Sequence, residues 1–126
     1  MKRVFLTLLL LLASTMSPMA AQQPDAQEQA SKIANAIVVS LYGYDIYSVA
    51  SVIETMVNDN DAIRAVEIID ANSEAVIFEA YKTDDNTFHS GEPIPEEQKK
   101  GLQQLVHPVV HEQEEIGELH LYYLSG

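Results

Sequence analysis

The residues best suited to chemistry lie near the carboxyl end of the chain, in the segment HPVVHEQEEIGELHLYYLSG. If EQEE forms the loop of a β-hairpin, His107 lies opposite His120, and Glu118 lies one step along the same face. Side chains in such a pair have Cβ atoms about 4.5–5.5 Å apart, so two imidazoles can share a divalent metal ion or repel when protonated. The sequence therefore predicts His107, His120 and Glu118 as candidate metal ligands. The alternative is a solvated polar sheet face.

A second set of candidates borders the polar stretch TDDNTFHSGEPIPEEQ, which begins at Thr83. Turn-forming residues and two prolines predict a long surface loop there, and such loops often carry binding function. Arg64 is the only arginine beyond the first 21 residues, and its guanidinium suits a carboxylate ligand, although a surface ion pair is the alternative. The candidate ligand-binding residues are Arg64, Tyr81, Lys82 and Phe88.

Tyr44 and Asp45 follow Gly43 between two helical patterns. Glycine suits the left-handed residue that ends a helix, and an aspartate carboxylate suits the start of the next helix. One interpretation is that Tyr44 and Asp45 tie the helix to a sheet and transmit the state of a ligand. The other is helix capping with amphipathic packing, and the two are compatible.

Catalytic motifs do not emerge from the sequence. The chain has no cysteine, so it has no disulfide and no thiolate metal site. It has no nucleophile elbow and no glycine-rich phosphate loop, and NDNDA, at residues 58–62, lacks the glycine and distal glutamate of a calcium loop. We therefore predict a protein that is not an enzyme and needs no cofactor.

The chain is strongly acidic. Of its seven basic residues, two lie among the first 21, which leaves five basic against nineteen acidic side chains and a net charge of -14 with histidine neutral. Such a surface repels phosphate backbones and anionic lipid heads. We expect no nucleic-acid partner, and cations are the electrostatic alternative.

The amino-terminal sequence MKRVFLTLLLLLASTMSPMAAQQ has two basic residues followed by a short apolar run and small residues. This order is typical of a secretory signal peptide. We predict a signal peptide at residues 1–21, or an uncleaved inner-membrane anchor at residues 4–21. In either case, residues 22–126 are expected in the periplasm or another extracytoplasmic space.

Helical periodicity dominates the first half of the remaining chain. One run places Ala30, Ile33, Ile37 and Leu41 on a single face, and a second run after Asp45 repeats that spacing. These patterns predict two amphipathic helices with a break near Gly43.

Two predicted hairpins follow. IRAVEIID and AVIFEAYK alternate, and a three-residue turn at residues 71–73 gathers one apolar side, formed by Val66, Ile68, Val76, Phe78 and Ala80. In the final hairpin the predicted apolar face carries Val106, Pro108, Val110, Leu119, Leu121 and Tyr123. The segment EEQKKGLQQL favours a short helical turn between the hairpins.

The predicted fold is α+β, with amino-terminal amphipathic helices packed on the apolar face of a small antiparallel sheet of about four to five strands. About 105 residues suffice for one domain, which we place at residues 22–126.

Three stretches carry a family resemblance: LYGYD at residues 41–45, the strand IRAVEIID, and the closing strand EEIGELHLYY. In this order and spacing the chain resembles the extracytoplasmic PAS-like sensor domains, of PDC or Cache type, of bacterial histidine kinases and diguanylate cyclases. The resemblance implies a long helix on an antiparallel sheet, a small-ligand pocket beneath the loops, and a homodimer that pairs through the amino-terminal helix.

In that family the last strand leads into a transmembrane helix, whereas this sequence ends at Gly126. The expectation is thus a small-ligand-sensing input domain that acts through a partner such as a membrane sensor kinase or cyclase, or forms the input part of a truncated receptor. Its ligand would be a small molecule or a cation. The competing hypothesis is a small acidic periplasmic protein-interaction module with no small-molecule pocket.

Overall fold

A computed structural model describes residues 17–125 of the chain. The first sixteen residues of the predicted signal peptide or anchor therefore lie outside the described residues. The helices are α1 (Ser17–Tyr42), α2 (Ile46–Asn58) and α3 (Glu96–Lys99). The strands are β1 (Ile63–Asp70), β2 (Val76–Lys82), β3 (Phe88–Ser90), β4 (Gln103–His111) and β5 (Glu114–Tyr123).

The five strands form one antiparallel sheet in the order β3-β2-β1-β5-β4, so β1 and β5 are central. This confirms the predicted α+β fold of two amino-terminal helices and a sheet of four to five strands. Within residues 17–125, no helix combines the length and the apolar character that crossing a membrane requires.

The main core lies between the two long helices and one face of the sheet. Burial there confirms the helical face predicted from sequence, because each of its four residues is at most 4% exposed. Burying an aliphatic side chain stabilises the fold by about 1.5–3 kcal/mol, so this layer holds the helices in place. The residues that meet across it are Ala30, Ile33, Ile37, Leu41, Val49, Ile53, Val57, Val66, Ile68, Phe78, Leu119 and Leu121.

The break between α1 and α2 is a Schellman-type ending. The amide of Asp45 donates to the carbonyl oxygen of Ser40 at 2.8 Å, and the amide of Tyr44 donates to that of Leu41 at 3.0 Å. The left-handed residue is Tyr44, with φ of 58°, and not Gly43 as the sequence suggested. Helix α2 then starts at once, because Asp45 caps it.

The first hairpin confirms the predicted apolar side for Val66, Ile68, Phe78 and Ala80, but its register differs. Val66 pairs with Ala80, and a bulge follows Ile68. The turn is longer than predicted because the Asp70 carboxylate accepts hydrogen bonds from the amides of Asn72 and Ser73, at 3.1 and 2.8 Å. These bonds stabilise a wider loop.

The final hairpin contradicts the predicted register. Its turn consists of Glu112 and Gln113, both with positive φ, and a bulge follows Val109. A two-residue turn of this kind matches the twist of the flanking strands. As a result, His107 pairs with Leu119.

This one-residue slip moves the side chains of β4 to the opposite faces of the sheet. Val109 is fully buried toward the helices, whereas Val106 and Val110 are about half exposed on the other face. The apolar face predicted for β4 is therefore wrong, and the one predicted for β5 is correct at Leu119 and Leu121.

The predicted long loop contains both β3 and α3, and α3 is the helical turn that the sequence favoured. Ile94 is buried between these two elements and belongs to a second small apolar cluster with Ala65, Tyr81 and Tyr122. We call the sheet face that bears this cluster the outer face, because the long helices cover the other one.

Candidate functional site

A groove of about 440 Å³ lies between α2, β2 and the chain that follows β3. We call it the α2 groove. Its floor and walls are mainly apolar, with Ile77 and Phe78 from β2 and Ala50 from α2. Its full lining is Ile46, Tyr47, Ala50, Val76, Ile77, Phe78, Glu79, Ser90, Gly91, Glu92 and Pro93.

The groove exists because β3 is shorter than β2. Strand β3 pairs only with residues 80–82 of β2, so the first half of β2 has no strand on the edge that faces away from β1. We call residues 76–79 the uncovered half of β2. The chain leaves β3 at Gly91, whose φ of 75° favours glycine, and the Gly91 amide donates to the carbonyl oxygen of Glu79 at 2.8 Å. Residues 91–93 then form the rim opposite α2.

The groove carries negative charge. Glu92 and Glu79 are the acidic residues of its lining, which includes no lysine, arginine or histidine. The Glu79 carboxylate itself lies on the outer face, where Glu79 pairs with Glu67. One carboxylate oxygen of Glu79 accepts a hydrogen bond from the amide of Ile94 at 2.9 Å. Glu92 lies 3.6 Å from Nδ1 of His89, just outside the groove.

Two of the predicted ligand-binding residues are engaged by the fold. The Lys82 side chain is 2% exposed, and its ammonium group donates to the carbonyl oxygen of Val57 at 3.0 Å. The Arg64 guanidinium donates to the carbonyl oxygens of Lys82 and Thr83, at 3.3 and 2.6 Å. Lys82 therefore fastens the end of α2 to the end of β2, and Arg64 fastens the start of β1 to the same end of β2.

The other two predicted ligand-binding residues lie on opposite faces of the sheet. Tyr81 is buried on the outer face and stacks on His89, with ring centroids 4.6 Å apart. Phe88 packs against the main core on the helix side. The structure thus does not bring Arg64, Tyr81, Lys82 and Phe88 around one cavity.

The predicted coupling residues Tyr44 and Asp45 lie at the helix break, next to the α2 groove. The Tyr44 ring is 78% exposed and lines a second cavity of about 400 Å³ with Tyr42 and Asp70. The hydroxyl of Ser48, and then its amide, hold the pKa of Asp45 below its ordinary value by donating to the carboxylate. Capping is therefore shown for Asp45.

The predicted metal ligands are not brought together. His107 lies on the helix side of β4, where its Nδ1 donates to the carbonyl oxygen of Pro108 at 2.8 Å. His120 lies on the outer face and pairs with Val106, so the predicted opposition of His107 and His120 is wrong. Only Glu118 and His120 meet, at 3.1 Å. The part of the chain that the structure describes holds no group of three side chains placed to bind a metal ion.

His120 belongs to a polar network on the outer face that the sequence did not reveal. Its Nδ1 accepts from the Gln104 amide at 3.0 Å and lies 3.7 Å from a carboxylate oxygen of Glu67. The Tyr122 hydroxyl donates to the same carboxylate at 3.3 Å. Burial, followed by the nearby charge of Glu67 and this hydrogen bond, raises the pKa of Tyr122 to about 12.

The alternation of side chains in β1 was the available signal for this network. It places Glu67 on the face of the strand that is opposite to the face of Val66 and Ile68. Glu67 also pairs with Glu79 across the two strands, an unfavourable like-charge pair. The pairing depends on the hairpin register, so the sequence alone did not identify it. Tyr47 of the groove was visible only as one of the tyrosines in YGYDIY.

No protein-family model matches the chain, and no curated protein matches it.

Proposed function

We propose that this protein is an extracytoplasmic small-ligand-sensing input domain of a bacterial signal-transduction system, with the α2 groove as its ligand site. The observation that carries the proposal is the composition of the groove, in which one wall is α2 and the other is the uncovered half of β2. Concave, mainly apolar sites with a few polar groups are the usual small-molecule sites of proteins.

The groove also offers a route for signal transmission. Its α2 wall begins at Ile46, directly after the helix break at Tyr44 and Asp45. A ligand that contacts both α2 and β2 stabilises one arrangement of α1 and α2 over another only by its difference in affinity for the two. We therefore keep Tyr44 and Asp45 as signal-coupling residues in this proposal, with a membrane sensor kinase or cyclase as the partner.

A thermal-shift panel of small amines, organic acids, neutral aromatic compounds and divalent metal salts tests the proposal. At least one organic compound should raise the melting temperature of the wild type. Ala50→Phe should abolish that shift, because the larger side chain fills the groove. Ala36→Phe, on the exposed side of α1, is the matched control and should retain the shift. No shift with any compound would refute the proposal.

The second candidate is a small acidic protein-interaction module without a small-molecule ligand. It is favoured by one observation: Tyr42, Tyr44 and Tyr47 are 56%, 78% and 91% exposed near the helix break. Aromatic residues are enriched at protein interfaces. On this alternative the panel gives no shift, and Tyr47→Ala weakens the capture of a protein partner from a periplasmic extract.

A further inference from the structure

We infer that the ligand of the α2 groove is a small organic cation with an apolar body. The inference rests on the proposed function and assigns the chemical class of its ligand. Shape sets the apolar part of this ligand, and the distribution of charge sets its cationic part.

The apolar part follows from the walls of the groove. Ile77, Phe78 and Ala50 present hydrocarbon surface, and Val76 is about half exposed beside them. Tyr47 stands at the rim with its ring 91% exposed. An apolar ligand removes this surface from water, which is the main favourable term in binding.

The cationic part follows from the charges of the rim. Glu92 is 57% exposed at the rim, so a positive group in the groove is attracted by its carboxylate. The Tyr47 ring adds a face that attracts cations. The surrounding field has the same sign, because residues 22–126 carry a net charge of -14.

An anionic ligand lacks a cationic partner in this groove, because the basic side chains of the described chain are placed elsewhere. Lys82 and Arg64 bind main-chain carbonyl oxygens, as described above, and Lys32 pairs with Glu28 at 3.8 Å. Lys99 lies over the Tyr122 ring on the outer face, and Lys100 is not among the lining residues.

Isothermal titration with three matched probes tests the inference on the wild-type protein. The probes are 2-phenylethylamine, 2-phenylethanol and phenylacetate, which share one ring and differ in charge. We expect the amine to bind about tenfold more tightly than the alcohol and the acid to give no measurable heat. The affinity of the amine should fall as sodium chloride is raised, while that of the alcohol should not.

Rim variants locate the charge. Glu92→Gln should weaken amine binding about threefold and leave alcohol binding unchanged. Tyr47→Ala should weaken amine binding by a similar factor, whereas Tyr47→Phe should retain it because the ring remains. Glu54→Gln, an exposed position of α2 outside the groove, is the matched control and should leave both affinities unchanged.

The outcomes separate this inference from the proposed function. If the alcohol or the acid binds as tightly as the amine, the cation inference is overturned and the groove remains a ligand site. If none of the three probes binds, the inference is again overturned. The proposed function is refuted as well only if no compound of the wider thermal-shift panel raises the melting temperature.

Discussion

At the residue scale, the two cations at the ends of β1 and β2 act as fasteners. Buried Lys82 reaches the carbonyl oxygen of Val57 at the end of α2, and Arg64 reaches carbonyl oxygens at the end of β2. A charge that binds main-chain oxygens in this way is unavailable to a carboxylate ligand. Residue type alone did not distinguish these roles, because the partners are 18 to 25 positions away in the sequence.

Lys82→Met tests the fastening role. Methionine fills a similar volume without a buried charge, so the free energy of unfolding should change by at most about 1 kcal/mol. Lys82→Ala should cost about 2 kcal/mol, because the stem no longer fills its site. Urea unfolding measures both. In titrations with 2-phenylethylamine, Lys82→Met should bind with the affinity of the wild type. A tenfold loss of affinity would mean that Lys82 belongs to the ligand site.

Tyr122 gives a pH-dependent prediction. Its pKa is raised from 10.0 to about 12 in the folded protein, so the folded state keeps the proton that the unfolded state loses. This stabilisation is complete below pH 10 and is lost as the pH rises from 10 to about 12. At pH 11, midway through that range, the wild type should have lost about 1 kcal/mol relative to Tyr122→Phe.

Tyr122→Phe should also be less stable at pH 7, by about 1 kcal/mol, because Glu67 loses a hydrogen bond. Urea unfolding of both proteins between pH 7 and pH 11 measures the difference. Every other tyrosine is common to the two proteins, so the difference isolates Tyr122. Parallel pH profiles would contradict the assignment.

At the element scale, hydrophobic periodicity predicted the helices and their buried faces. It did not predict the register of either hairpin. The final hairpin turns at Glu112 and Gln113, with φ of 48° and 72°. These residue types give no turn signal, since two-residue turns of this kind normally show Asn-Gly. The bulge after Val109 then adds a residue to one strand. Because the alternation of side chains was counted from a different turn, the sequence assigned His107 to the outer face.

The turn itself is testable. Glu112→Asn with Gln113→Gly should stabilise the protein by about 1 kcal/mol, because both residues tolerate positive φ. Thermal unfolding measures the gain. Glu115→Asn, two residues beyond the turn, is the control and should change the stability by less than about 0.5 kcal/mol. If the double variant is less stable than the wild type, the turn does not lie at Glu112 and Gln113. The four-residue loop EQEE predicted from the sequence would then be the alternative.

The candidate site was less predictable than the fold. The α2 groove depends on the length mismatch between β3 and β2, and β3 is only three residues long. Its lining comes from α2, β2 and the chain after β3, and the sequence gives no pairing signal that joins them. Helical spacing did place Ile46 on α2, but only as a packing residue.

At the scale of the whole molecule, the exposed surface of α1 is a candidate surface for dimerisation. We expect a homodimer paired through α1, where Val39 is 72% exposed. Sedimentation should show a dimer for the wild type and a monomer for Val39→Glu, because a carboxylate in that interface is costly to bury. Val110→Glu alters a half-exposed valine of β4 and should remain dimeric. A monomeric wild type would contradict the dimer.

The central claim is that a small organic molecule binds between α2 and the uncovered half of β2. The most direct test is a titration of the ¹⁵N-labelled protein with 2-phenylethylamine, followed by two-dimensional NMR. The amide signals that move should belong to residues 46–50, 76–79 and 90–92, with smaller changes at the helix break. Changes centred on Glu67 and Tyr122 of the outer face would contradict the claim. The absence of changes with this amine and with every other compound of the thermal-shift panel would contradict it as well.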